Sequence, residues 1–230
     1  YRRHLGNGGF GDERRVWLRL RTLDTGSSRY ERFAKVEHRK LSRVALSRNV
    51  GRSGDPVDGA TVTLTGPKGE KIEMNRLGDR LRWTDGKITL VRLGKDDGFQ
   101  LRDGRSTGLS DDERQKLDRE FLLNPWLWRG KDRAKALAES TLEGGVQALG
   151  RPAFRFRIPG PSEYEVYYFE DGEPAGYSYR DPLLRKLVDL RAVGEQAWII
   201  TDRSELSPGW KLAVGYDPLP DAKLFERPAQ

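Results

Sequence analysis

The stretch Tyr164–Pro228 constrains the fold more than any other part of the chain. In Trp210-Lys-Leu-Ala-Val-Gly-Tyr216, the positions 210, 212, 214 and 216 carry Trp, Leu, Val and Tyr, with Lys211, Ala213 and Gly215 between them. A period of two turns one face of a strand to an apolar interior and the other to water. Tyr164, Val166 and Tyr168 alternate in the same way with Glu165 and Tyr167, and Asp171-Gly172 turns the chain towards 175–179. Further strands are expected at 187–190, 197–201 and 210–216. The connections are too short for the crossovers that parallel pairs need, so this is an antiparallel meander.

The pattern recurs upstream. Strands are expected over 14–24, where Val16, Leu18 and Leu20 share one parity, and over 29–38, 41–49, 61–65, 71–74, 80–83, 88–91 and 154–158. Asp85-Gly86 reads as a two-residue hairpin turn. The total is about ten to twelve strands. At Leu109 the pattern changes. Ser110-Asp-Asp-Glu113 fits a capping box, and Leu117, Phe121 and Leu122 follow helical spacing, with Arg114, Lys116 and Arg119 expected to face away. Pro125 predicts the helix end near Asn124. Trp126-Leu-Trp128 follows, then a second short helix over 131–139. The chain is expected to be mainly β with a helical insert, forming one domain over 1–230 with lid helices at about 109–139.

Composition narrows the function classes. Hydrophobic residues make up 36% and charged residues 33%, but six Trp, eight Tyr and eight Phe are enough to build a core, which argues against global disorder. No apolar run approaches the ~18 residues that span a bilayer. There is no Cys, which removes disulfide and thiol chemistry. The net charge is +7, with 30 Arg spread evenly and acidic neighbours beside most clusters, as in Asp111-Asp-Glu-Arg114. That distribution argues against a nucleic-acid surface, which would cluster on one face. It leaves peripheral contact with anionic lipid open.

No motif carries catalysis. Gly6-Asn-Gly-Gly-Phe-Gly11 matches G-x-G-x-x-G, but the strand-before, helix-after context of a dinucleotide site is missing. Ala34-Lys35 is unaccompanied by kinase motifs. His4 and His38 are isolated and read as surface residues. There is no nucleophile elbow and no EF-hand spacing. Asp96-Asp97 sits in a Gly-rich turn, and Asp111-Asp112 opens a helix, where negative charge favours the dipole. Neither a cofactor nor a metal is expected. The most informative feature is the aromatic helix face of Phe121, Leu122, Trp126 and Trp128. It reads either as ordinary packing on a sheet or as the cover of an apolar pocket at the mouth of a concave sheet. Burying an acyl chain yields about 0.8 kcal/mol per CH₂ and leaves little motif behind.

Five segments resemble the LolA/LolB-like superfamily of periplasmic lipoprotein and lipid carriers, which includes LppX/LprG-like proteins. Tyr1-Arg-Arg-His-Leu-Gly with Gly8-Gly9 is similar to its N-terminal helix end. Leu109–Trp128 falls where the family places its lid, and Tyr164–Tyr179 is similar to its late hairpin. Leu187–Ile200 and Asp217-Pro-Leu-Pro-Asp-Ala-Lys-Leu-Phe-Glu-Arg-Pro228 resemble its closing units. The resemblance implies a curved antiparallel half-barrel sheet with helices over its concave face. It also implies a non-enzymatic carrier of lipid or lipoprotein acyl chains, exported to the periplasm or outer membrane, with its leader absent from this sequence.

Cavity candidates from the lid are Leu117, Phe121, Leu122, Trp126 and Trp128. From the sheet they are Val16, Leu18, Leu20, Phe154, Phe156, Tyr164, Val166, Trp198, Ile200, Trp210 and Leu212. Arg residues at the rim are expected to meet a headgroup. Two other readings stand beside the carrier: an envelope scaffold that binds a protein partner through an exposed edge, and a hydrolase with a dispersed site.

Overall fold

The computed structural model describes residues 57–129, 140–148, 151–158, 164–169, 171–201 and 205–228, with backbone alone at 142–147, 186, 200–201 and 205–208. The strands expected over 14–49, with Val16, Leu18 and Leu20, and the helix expected at 131–139 lie outside the described residues.

Among the described residues, thirteen strands form one open antiparallel sheet, curved into a half-barrel with a helical insert. They are β1 (Gly59–Thr65), β2 (Lys71–Leu77), β3 (Arg80–Thr84), β4 (Ile88–Arg92), β5 (Gly98–Arg102), β6 (Arg105–Gly108), β7 (Thr141–Ala148), β8 (Arg151–Arg157), β9 (Glu165–Phe169), β10 (Pro174–Asp181), β11 (Lys186–Val193), β12 (Gln196–Thr201) and β13 (Glu205–Gly215). Their spatial order is β6-β5-β4-β3-β2-β1-β13-β12-β11-β10-β9-β8-β7. Two meanders are therefore joined where β1 pairs with β13, with Val62 opposite Val214 and Leu64 opposite Leu212. The alternation that predicted the last strand places Leu212 and Val214 beside β1 on the inner face.

Sequence periodicity missed β5, β6 and β7. Gly98-Phe-Gln-Leu-Arg102 and Arg105-Ser-Thr-Gly108 are short and polar, and Thr141-Leu-Glu-Gly-Gly-Val-Gln-Ala148 holds two glycines at a register shift against β8. Glycine pairs weaken a strand pattern. The Asp85-Gly86 hairpin is present with a three-residue connection, and the Asp85 carboxylate accepts from the amides of Lys87 and Ile88.

The helix α1 (Asp111–Leu123) begins as its sequence predicts. The Ser110 hydroxyl accepts from the Glu113 amide, and the Glu113 carboxylate accepts from the Ser110 amide at 2.8 Å. It ends at Asn124, which is extended ahead of Pro125, and a 3₁₀ turn follows at Pro125–Leu127. The helix and this turn lie on the concave face. Leu117, Leu123, Trp126 and Leu127 join Val62, Leu64, Met74, Leu81, Leu90, Tyr177 and Leu190 in the main core.

The closing segment takes a different course from the sheet. Asp221 caps a 3₁₀ turn, Ala222–Phe225, through the amide of Lys223. Phe225 is buried against Val91 and Phe99. Val91 and Phe99 are cross-strand partners at odd positions of β4 and β5, whereas Leu90 belongs to the inner core. The tail therefore covers the convex side of β4 and β5.

Candidate functional site

The inner face of α1 is not the apolar stripe expected of it. Glu113, Lys116, Leu117, Glu120 and Leu123 recur at helical spacing and are all buried. Lys116, expected to face away, is only 6% exposed. Leu122, expected on the cover's apolar face, is 40% exposed. Residue 122 follows its neighbours by one step of about 100°, which carries it off the face that Leu117 and Glu120 share.

Opposite this face stands β10. Its register shifts against β9 between Pro174 and Gly176, where Gly176 has φ 157° and an added Cβ would meet the Leu190 carbonyl at 2.3 Å. A bulge re-aims the residues that follow it, and here these are Tyr177, Tyr179 and Asp181, which alternate onto the inner face. The two phenol rings stack with centroids 6.0 Å apart.

The two elements meet in a buried polar network. Tyr177 and Tyr179 donate to the two oxygens of the Glu120 carboxylate, at 2.6 and 2.5 Å. The Lys116 ammonium donates to Asp181 at 2.6 Å, lies 3.4 Å from the Tyr179 oxygen and 4.0 Å from Glu120, and faces the Trp83 ring at 4.6 Å. Asp181 also accepts from the amides of Leu183 and Leu184. Asn124 donates to the Tyr177 oxygen. Burial, reinforced by the Glu120 charge, pushes both phenol pKa values well above their ordinary range, so both keep their protons and serve as fixed donors. For Asp181, burial alone would raise the pKa, but the Lys116 charge and hydrogen bond and the two backbone amides outweigh it and hold the carboxyl below its ordinary range.

Beside this network lies a part-open cavity of about 120 Å³. Eight apolar side chains line it (Leu64, Ile72, Met74, Trp83, Leu184, Val188, Leu190 and Ile199), together with Tyr177, Tyr179, Lys116, Glu120 and Asp181. Pockets for drug-sized ligands run to about 300–1,000 Å³, and a dry cavity of about 150 Å³ holds one benzene. The cavity therefore accommodates a group of roughly one ring, and a whole acyl chain requires α1 to move.

None of the sequence candidates whose side chains are described lines this cavity. Leu117, Trp126, Phe156, Tyr164, Val166 and Leu212 are buried core, and Phe121, Trp128, Phe154 and Trp210 pack half-buried against it. Trp126 sets its edge on Tyr177, and Phe121 meets Trp128 edge-on at 4.9 Å. On β12 the predicted parity is reversed. Ala197 and Ile199 join or pack against the core, and they pair with the inward residues Ala192 and Leu190. Trp198 is paired with Arg191 on the opposite face. The register explains the reversal: Ala197 pairs with Trp210, which packs against the core, so the odd positions of β12 share its face. Ile200 pairs with Asp189, and its side chain lies outside the described set.

The rim arginines are engaged within the protein. Arg92 binds Asp118 at 2.8 Å and stacks on Phe121, Arg76 donates to the Leu127 carbonyl and stacks on Trp128, and Arg119 donates to the Arg180 carbonyl. Among the described residues no group of three or more His, Cys, Asp or Glu is placed to hold a metal, and no helix is long and apolar enough to cross a membrane.

No family model and no curated protein matches the chain. Among solved structures it is similar to a crystal structure of MucB, with 14% identity over 84% of this chain and 64% of that one. The TM-score is 0.25, too low for the likeness to bear on fold or function. The chain spans less than two thirds of that protein's length.

Proposed function

We propose that the protein is a non-enzymatic binding protein for an apolar ligand, held between the concave sheet and α1, with α1 as a displaceable cover. The observation that carries this reading is the cavity's position under a helix that is seated by charge. On its inner face α1 buries Glu113, Lys116 and Glu120 beside only two leucines, Leu117 and Leu123. A helix that served only to fill the core would bury an apolar stripe. Buried ion pairs add little net stability over apolar packing, so a cover attached in this way can leave the sheet at modest cost. A location in the cell envelope and a cargo of lipid or lipoprotein acyl chains draw support from the sequence resemblance.

The test is native mass spectrometry of gently purified protein, together with a variant that fills the cavity. Val188→Trp places a large ring among the lining residues. The wild type is expected to carry an apolar adduct that organic extraction removes, and V188W is expected to lose it while keeping its fold by circular dichroism. Wild-type protein that is adduct-free from every preparation, or V188W that retains the adduct, contradicts the reading.

A further inference from the structure

Resting on the reading of this cavity as a ligand site, we propose that it discriminates by charge sign: it admits an uncharged or cationic group on an apolar ligand and rejects an anionic one.

Among the described residues the wall holds one ammonium, Lys116, against two carboxylates, Glu120 and Asp181. It therefore carries one excess negative charge in a site whose other residues are apolar or aromatic. The donors in this network are already committed. Tyr177 and Tyr179 both give their protons to Glu120. Lys116 is shared between Asp181, the Tyr179 oxygen and the Trp83 ring face. An entering carboxylate or phosphate would become a third negative charge, with no ammonium or phenol proton left to receive it. A buried charge without a partner is strongly disfavoured.

An entering ammonium finds the opposite environment. Glu120 accepts two hydrogen bonds at its two oxygens, and a carboxylate has acceptor capacity for about four. The rings of Trp83, Tyr177 and Tyr179 line the same space, and aromatic faces attract cations. Arg92, paired with Asp118, and Arg119, held on the Arg180 carbonyl, both lie outside the cavity lining.

The experiment compares three probes that match the cavity in size: benzyl alcohol, benzylammonium and benzoate, at about pH 7. Binding is read at the Trp83 indole resonance by NMR, assigned with Trp83→Phe. Titrations at low and at moderate salt separate the site from the general attraction of a +7 chain for anions, which salt screens. Benzylammonium is expected to bind at least about tenfold more tightly than benzoate, with benzyl alcohol also ahead of benzoate. In Glu120→Gln the wall is charge-balanced, and the two ionised probes are expected to converge to within about threefold. Circular dichroism reports whether E120Q keeps its fold, and each ionised probe is compared with benzyl alcohol within the same protein. If E120Q does not fold, the wild-type ratio alone decides. Benzoate binding as tightly as benzylammonium in the wild type overturns the proposal, as does an unchanged ratio in folded E120Q. Both outcomes leave the cavity standing as a ligand site. Failure of all three probes to shift Trp83 removes the site and the proposal together.

Discussion

Replacing Asp181 with alanine is expected to destabilise the protein by about 3–5 kcal/mol, because it strands a buried ammonium. Lys116 loses its 2.6 Å partner and keeps the Tyr179 oxygen at 3.4 Å, Glu120 at 4.0 Å and the Trp83 ring face. The amides of Leu183 and Leu184 lose their acceptor in the same step. Urea unfolding measures the loss. Removing both charges, as Lys116→Met with Asp181→Leu, is expected to recover much of it, since apolar replacements of a buried pair are often neutral or stabilising. A cost below about 1 kcal/mol for Asp181→Ala would show that the pair does not seat α1. The pH dependence follows from the sign of the shift. Asp181 has a lowered pKa in the fold, so the unfolded chain takes up the proton first as pH falls. Its contribution is fully present above the ordinary carboxylate range and is lost as pH drops through the lowered value. Asp181→Asn is therefore expected to flatten the acid limb of the stability curve.

Truncating Trp126 to alanine is the second large effect, at about 3–5 kcal/mol. Its side chain is 5% exposed, sets its edge on Tyr177 and fills the space where the 3₁₀ turn meets β1 and β10. Its backbone links survive the change, because the Tyr216 hydroxyl donates to the carbonyl of residue 126 and the residue's amide donates to Asn124. The loss is then that of packing alone. Leu122→Ala provides the contrast. Leu122 was drawn from the same aromatic-rich run but stands 40% exposed, and its truncation is expected to shift stability by no more than about 0.5 kcal/mol. Thermal unfolding of the two variants side by side reads the difference.

That contrast shows how much of the molecule is legible in its sequence. Alternation of Trp210, Leu212 and Val214 placed β13 correctly because nothing interrupts the pleat between them. The same rule reversed β12, because Ala197-Trp-Ile-Ile200 is apolar at both parities and only its register, with Ala197 opposite Trp210, decides which face turns inward. The capping box fixed the start of α1, and Pro125 fixed its end, because both act through local backbone hydrogen bonds. The inner face of the helix was misread for a different reason. A search for apolar residues at helical spacing passes over Glu113, Lys116 and Glu120, although they recur on the same period as Leu117. Glu113 is held by Ser110 and Gln100, but Lys116 and Glu120 depend on Tyr177, Tyr179 and Asp181, some sixty positions away, which alternate on a strand. Helix and strand periodicities were both present, but the pairing between them is tertiary. The cavity was illegible for the same reason, since its lining comes from α1, six strands and the β10–β11 turn.

Hydrogen exchange of the α1 amides tests the central claim most directly. If α1 is a displaceable cover, the amides of 114–123 exchange through a local opening, at a free energy well below that of β1 and β13, which open only with the whole sheet. Addition of benzyl alcohol should slow exchange in α1 and leave β1 and β13 unchanged. If α1 exchanges only in step with β1 and β13, and is indifferent to an apolar ligand, then it is a fixed part of the core and the cover does not exist.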